Sequence, residues 1–184
     1  MGEDVRPDVR LRDVEEDDLE VFFTQEHDPE AVRRSRFTPR ERERFMTHWA
    51  TKILADDTVF VQTVTVAGEP AGHIVAWWEG DRRFIGYWLD RQHWGRGTGT
   101  KALTLFLQRE RARPLHADPF IENTGSVRLL EKLGFQRTGT VRHGDDEHAM
   151  LVLDRVAATT TTTTAFEPDT ASSARRSAPG PPAR

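Results

Sequence analysis

Three glycines at alternate positions, in Gly95-Arg96-Gly97-Thr98-Gly99-Thr100, follow closely on a short apolar run, Phe84-Ile-Gly-Tyr-Trp-Leu89. They open directly into a stretch with helical spacing of apolar residues. A glycine-rich turn from strand to helix aims several unpaired backbone N–H groups and the positive end of a helix dipole at one point. Such a point binds an anion, most often a phosphate. The turn is not a Walker A loop, because it lacks the four-residue gap and the Gly-Lys-Ser/Thr ending. It is not the dinucleotide fingerprint either: the last glycine interval is wrong and no acidic residue ends a following strand at the expected distance. Taken alone, the glycines also fit a tight loop that merely needs unusual φ/ψ angles. Downstream, Asn123-Thr-Gly-Ser126 opens a second helical pattern that closes on Leu133-Gly134-Phe135. Asn123 reads as its N-cap and Gly134 as its terminator.

At this distance from each other, the two segments resemble the GNAT superfamily of acetyl-CoA-dependent N-acyltransferases. The family loop, Gln/Arg-x-x-Gly-x-Gly/Ala, falls on Trp94-Gly-Arg-Gly97-Thr-Gly99, so Trp94 stands where glutamine or arginine is usual. The ribosomal-protein N-acetyltransferase and aminoglycoside 6′-N-acetyltransferase branches are the most similar. The resemblance covers roughly residues 8 to 155 and is most specific in the central third. It implies an α/β (α+β) fold: a mixed, mostly antiparallel sheet of six to seven strands, splayed between strands 4 and 5, with about four helices packed on both faces. It implies acetyl-CoA as the acyl donor, with the pyrophosphate on the N–H groups of Gly95, Arg96, Gly97, Thr98, Gly99 and Thr100. The pantetheine amides would pair with the main chain of Trp88 and Leu89 like a short extra strand. Asn123 and Ser126 complete the implied cofactor-binding set. Trp88 and Leu89 fit an ordinary strand core equally well.

Acyl transfer to an amine needs a base for the ammonium and an acid or hydrogen-bond donor for the departing thiolate. Asp118 lies five residues before Asn123, where relatives in both branches carry a catalytic carboxylate. The open end of a strand in a sheet also favours ligands. Asp118 can instead cap the loop before Pro119. Ser126 matches a serine that relatives place near the CoA sulfur, and it also reads as an early-helix residue sharing the capping with Asn123. The tyrosine that many relatives place seven residues after the asparagine is Leu130 here, and the single tyrosine, Tyr87, stands on the other side of the loop. Another branch places its base at the position of Arg83, which stays protonated. Glu79 and histidines 73, 93 and 116 are the remaining titratable candidates, each also readable as a surface or structural residue.

Composition narrows the alternatives. The 184 residues carry no cysteine, which excludes disulfides, thiolate metal sites and a cysteine nucleophile. Seven histidines without paired spacing give no metal site. A net charge of −4 with dispersed basic residues argues against nucleic acid. No apolar run reaches the roughly 20 residues of a membrane span, and no signal-peptide pattern starts the chain, so a cytoplasmic protein is expected. The acceptor is an amine: a protein N-terminus, a small amine or an aminoglycoside. A homodimer is allowed. The rival reading is a non-catalytic CoA-binding sensor or partner-binding module, which Arg83, Trp94 and the missing tyrosine at Leu130 would suit.

The elements that must position these groups follow from periodicity. Strands are expected over Val9–Val14, Thr58–Val66, Ala71–Glu79, Arg83–Leu89, Leu115–Asp118, Phe135–Val141 and His148–Asp154. Helices are expected over Glu16–Gln25, Arg40–Ala55, Thr98–Arg113 and Thr124–Leu133. Residues 1–157 form the expected domain. Residues 158–184, with a run of six threonines and almost no large apolar side chain, form an expected disordered tail.

Overall fold

A computed structural model describes residues 7–154. The expected domain limit at 157 and the tail lie outside the described residues. The chain runs β1 (Val9–Arg12), α1 (Asp18–Glu26), α2 (Pro29–Ser35), α3 (Arg42–His48), a π-helical turn (Trp49–Ile53), β2 (Phe60–Val66), β3 (Glu69–Glu79) and β4 (Arg82–Leu89). A 3-10 turn (Arg91–His93), α4 (Thr98–Arg109), β5 (Leu115–Ala117), α5 (Thr124–Lys132), β6 (Gln136–His143) and β7 (Asp146–Leu153) complete it.

The seven strands form one mixed, mostly antiparallel sheet, as the family resemblance implies, in the order β1-β2-β3-β4-β5-β7-β6. Every neighbouring pair is antiparallel except β4–β5, which is parallel. That central pair is joined only at Arg83↔Leu115 and Phe84↔His116. Beyond Phe84 the two strands part, while β4 stays fully paired to β3 as far as Leu89. β5 is short because Pro114 and Pro119 bracket it, and neither has an N–H for a ladder. Past its end the chain leans on β7, where the Ala149 N–H donates to the Pro119 carbonyl at 2.9 Å.

Apolar side chains on alternate positions of the strands bury both faces. Ile74, Ile85, Leu103, Phe106 and Leu130 pack under α4 and α5. Phe22, Phe45, Trp49, Trp77 and Phe84 pack under α1 and α3. The junction of β4 and β5 is held by a buried ion pair. Arg83 donates to Glu110 Oε2 through Nη2 at 2.7 Å and to the Thr58 carbonyl through Nη1 at 2.6 Å. A side chain that occupies the base position of another branch therefore serves the sheet.

Element ends shift by a few residues throughout, and four differences from the sequence reading have a visible cause. There are five α-helices among the described residues rather than about four, because Asp28-Pro29 starts α2. Asp28 Oδ1 accepts from the Glu30 and Ala31 N–H groups at 3.0 and 2.9 Å, and proline suits the first helical position. The expected Arg40–Ala55 helix is α3 followed by the π turn, which brings Trp49 and Ile53 inward together. α4 ends at Arg109, since Glu110 leaves the helix to meet Arg83. The last hairpin is longer than expected: β6 runs to His143 and β7 starts at Asp146. His143 is thus a strand residue and not part of a loose turn.

Candidate active site

The divergence of β4 and β5 opens a cavity of about 450 Å³. Trp88 and Leu89 form one wall, Gly95, Gly97, Gly99 and Thr100 the loop end, and Asp118, Asn123 and Ser126 the opposite side. Nine of the residues singled out in the sequence therefore line one space. Arg96 is exposed and Thr98 is fully buried, and neither is part of that lining.

Gly95 and Gly97 have φ of 69° and 79°, the left-handed region that a side chain disfavours. Nothing lies within 4 Å of a Cβ built on either, so the backbone stands open to an approaching group. Gly97 is the N-cap of α4, whose first-turn N–H groups have no intrahelical acceptor. This is the cradle for an anion that the spacing suggests.

Trp94 has a specific partner: its indole Nε1–H donates to the Leu89 carbonyl at 2.8 Å. The Arg34 guanidinium lies 4.6 Å above the Trp94 ring, linking α2 to the loop. The carbonyl at the free end of β4 already accepts one bond, leaving its second lone pair for an incoming amide.

Asn123 caps α5, its Oδ1 accepting from the Ser126 N–H at 3.3 Å. The Ser126 hydroxyl remains available and lies 2.5 Å from the Tyr87 hydroxyl. Burial pushes the Tyr87 phenol up to about 12, against the opposite pull of its bond to Ser126. Tyr87 also lines the cavity. The sequence places it on the other side of the loop; folding brings it across the cleft.

Asp118 is buried, with 7% of its surface exposed, at the point where β5 ends. Its Oδ2 meets His143 Nε2 at 2.9 Å, and its carbonyl meets His148 Nδ1 at 2.9 Å. Asp118 also borders a second, polar cavity of about 400 Å³ on the other face of the sheet, with Glu79, Asp81, Arg82 and His143. Asp118 thus stands between an apolar cleft and a polar one. His143 was not among the histidines weighed from the sequence. His73 is buried against Phe22 and Trp49, with burial first and the Arg40 charge second pushing it down to about 3. His116 bonds the Arg83 carbonyl at 3.2 Å. His93 borders the apolar cleft. Among the described residues no group of three or more His, Cys, Asp or Glu could hold a metal ion, and no helix is long and apolar enough to cross a membrane.

A family model described as an acetyltransferase (GNAT) domain matches residues 8–136. The chain belongs to the GNAT acetyltransferase family. An uncharacterized N-acetyltransferase, p20, of Bacillus licheniformis is 28% identical over 162 residues, covering 78% of this chain and 88% of the relative. A probable N-acetyltransferase, YjcK, of Bacillus subtilis is 38% identical over 63 residues, which span 32% of this chain and 35% of that protein. Among solved structures, the aminoglycoside acetyltransferase AAC(6')-Ib in complex with paromomycin and acetyl-CoA superposes with a TM-score of 0.65 at 26% identity, covering 80% of this chain and 93% of the other. The spermidine N-acetyltransferase of Vibrio cholerae, in complex with CoA and spermine, shares the fold with a TM-score of 0.69 at 15% identity, over 79% of this chain and 95% of the other. Trp94, which stands where the family loop usually has glutamine or arginine, has a structural partner in the Leu89 carbonyl.

Proposed function

We propose that this GNAT-family protein transfers an acetyl group from acetyl-CoA to a primary amine by direct attack in a ternary complex. The observation that carries the reading is the parting of β4 and β5 beyond Phe84, with the glycine cradle at one end of the opening and Asp118 at the other. The cradle and the first turn of α4 suit the pyrophosphate, the free edge at Trp88 and Leu89 suits the pantetheine amides, and Asn123 and Ser126 flank the thioester end. The Asp118 carboxylate supplies a negative charge beside the opening that favours loss of the ammonium proton. Acetyl-CoA is available in the cytoplasm, and the reading places the reaction there.

The acceptor we favour is a small cationic amine or an aminoglycoside. The polar cavity beside Asp118 carries Glu79 and Asp81 against a single Arg82, so its rim attracts positive charge. The solved relatives with paromomycin and with spermine act on, or are bound to, polycationic molecules of that kind.

The test is a measurement of free CoA released from acetyl-CoA with a panel of aminoglycosides, polyamines and N-terminal peptides. Release that depends on one amine class supports the reading. Acetyl-CoA binding by calorimetry with no release on any amine would favour the sensor, and no binding at all would remove both.

A further inference from the structure

Resting on the transfer reaction above, we propose that the proton leaving the acceptor amine is taken up by His143, with Asp118 holding the imidazole in place. Asp118 is 7% exposed, whereas the His143 side chain is 39% exposed and borders the polar cavity. A proton left on the buried carboxylate would have to be discharged before every new turnover, and the carboxylate has its exposed neighbour 2.9 Å away. A carboxylate only accepts hydrogen bonds, so His143 Nε2 carries the ring proton and Nδ1 is the bare nitrogen. An orienting carboxylate of this kind fixes the tautomer and stabilises the imidazolium that forms.

The electrons balance without any further reactant. The ammonium N–H bond breaks and its proton goes to Nδ1 from the side of the polar cavity, which His143 lines and Asp118 joins to the cleft, leaving an imidazolium–carboxylate pair. The freed amine lone pair forms the C–N bond to the acetyl carbonyl carbon, and the C–S bond breaks with its electron pair on sulfur. The second amine proton returns to the thiolate, giving the amide and free CoA. Nδ1 then loses its proton to water in the cavity.

The charges around the ring are mixed. His148 of β7 lies edge-on at 4.7 Å between centroids. Glu79, Asp81 and Arg82 of the β3–β4 hairpin share the cavity, and Asp146 stands opposite His143 in the strand register, paired with Arg36.

The test uses an amine that the wild-type protein acetylates. His143→Ala should lower kcat/KM by about 10–100-fold, within or just below the span of general base catalysis, and added imidazole should restore turnover in proportion to its concentration. His143→Gln retains an N–H for Asp118 and should be equally slow, with a flattened acidic limb of the pH profile. Wild-type turnover and pH profile in His143→Gln would overturn the proposal, as would an Ala variant that imidazole leaves unchanged. Failure of the earlier reading looks different: the wild-type protein itself would then release no CoA with any amine.

Discussion

Tyr87 in β4 and Ser126 in the first turn of α5 share a 2.5 Å hydrogen bond across the cleft. The two positions are far apart in sequence, one on strand β4 and the other on the helix that follows β5, so the bond ties the two sides of the opening together at that level. With its phenol pushed up to about 12, Tyr87 stays protonated across the working range. If it donates to Ser126 Oγ, the serine proton is released toward the cavity, where a departing thiolate would receive it. The cleft thus has a tyrosine on the strand, Tyr87, where the helix carries Leu130.

Removing that hydroxyl should weaken the chemical step and leave donor binding alone. Tyr87→Phe should lower kcat by roughly 2- to 10-fold, the worth of one net hydrogen bond. Ser126→Ala should cost a similar factor, and the double variant no more than the worse single one, because both act through one contact. Multiplicative losses in the cycle would show that the two hydroxyls act separately.

The cradle gives a binding prediction with its own control. Gly97→Val places a side chain at a φ of 79°, which costs about 1–2 kcal/mol of stability, and points it into space that is empty in the protein. The melting temperature should fall by a few degrees while calorimetric affinity for acetyl-CoA falls by at least tenfold. Gly139→Ala, at an exposed β6 position with nothing within 4 Å, should change neither. Unchanged affinity in folded Gly97→Val would remove the loop from the donor site.

Gly72 shows what no sequence pattern displays. A Cβ built there meets the Trp88 carbonyl oxygen at 2.1 Å, so β3 approaches the donor strand more closely than any other residue type allows. Gly72→Ala must displace backbone, with a cost of about 1–3 kcal/mol as for other overpacked positions. Since the displaced segment is Trp88–Leu89, acetyl-CoA affinity should fall together with the melting temperature. Loss of stability with intact affinity would mean that the strain escapes toward β2.

What was legible follows from how local each signal is. The glycine loop, the Asn123 cap and the strand–helix alternation are short-range patterns, and all formed where periodicity and capping chemistry put them. Asp28-Pro29 is an equally local helix start, but the short α2 that follows carries too few apolar positions to show a period. The π turn at Trp49–Ile53 keeps helical spacing in the sequence and departs only in its hydrogen bonds. Tyr87–Ser126 and Asp118–His143 are long-range pairings, set by where β4 and β6 lie in the sheet, and no spacing encodes them.

Acid stability should depend on buried histidines. Burial, aided by the Arg40 charge, pushes His73 to about 3, and burial with Arg40 and Lys52 pushes His48 to about 4. Unfolded histidine takes up a proton near 6.5, so the unfolded state binds more protons between that value and about 3–4. Their contribution is therefore fully present above 6.5 and is lost as pH falls through this window. Glu26, raised by burial ahead of its Arg40 bonds, works in the opposite direction. The melting temperature should decline from pH 6.5 to 4, and His73→Leu should flatten the decline. An equal slope in the variant would assign the acid sensitivity elsewhere.

Asp118 carries the largest expected effect. Asp118→Asn keeps the shape of the group and can keep a contact to His143, but it removes the charge and lets the ring choose the other tautomer. kcat/KM on the true acceptor should fall by about 10²–10⁴-fold, and the acidic limb of the pH profile should flatten. Acetyl-CoA affinity should stay near wild type, because the proposed donor contacts lie in the glycine loop and on the β4 edge. The carboxylate bonds to His143 of β6 while the Asp118 carbonyl bonds to His148 of β7, so melting should be followed in parallel to separate chemistry from packing. Near-normal turnover in a stably folded Asp118→Asn protein would remove the carboxylate from the mechanism. If His143→Gln were equally unimpaired, the rate would rest on positioning an amine that arrives already neutral, and kcat/KM would track the acceptor's own pKa.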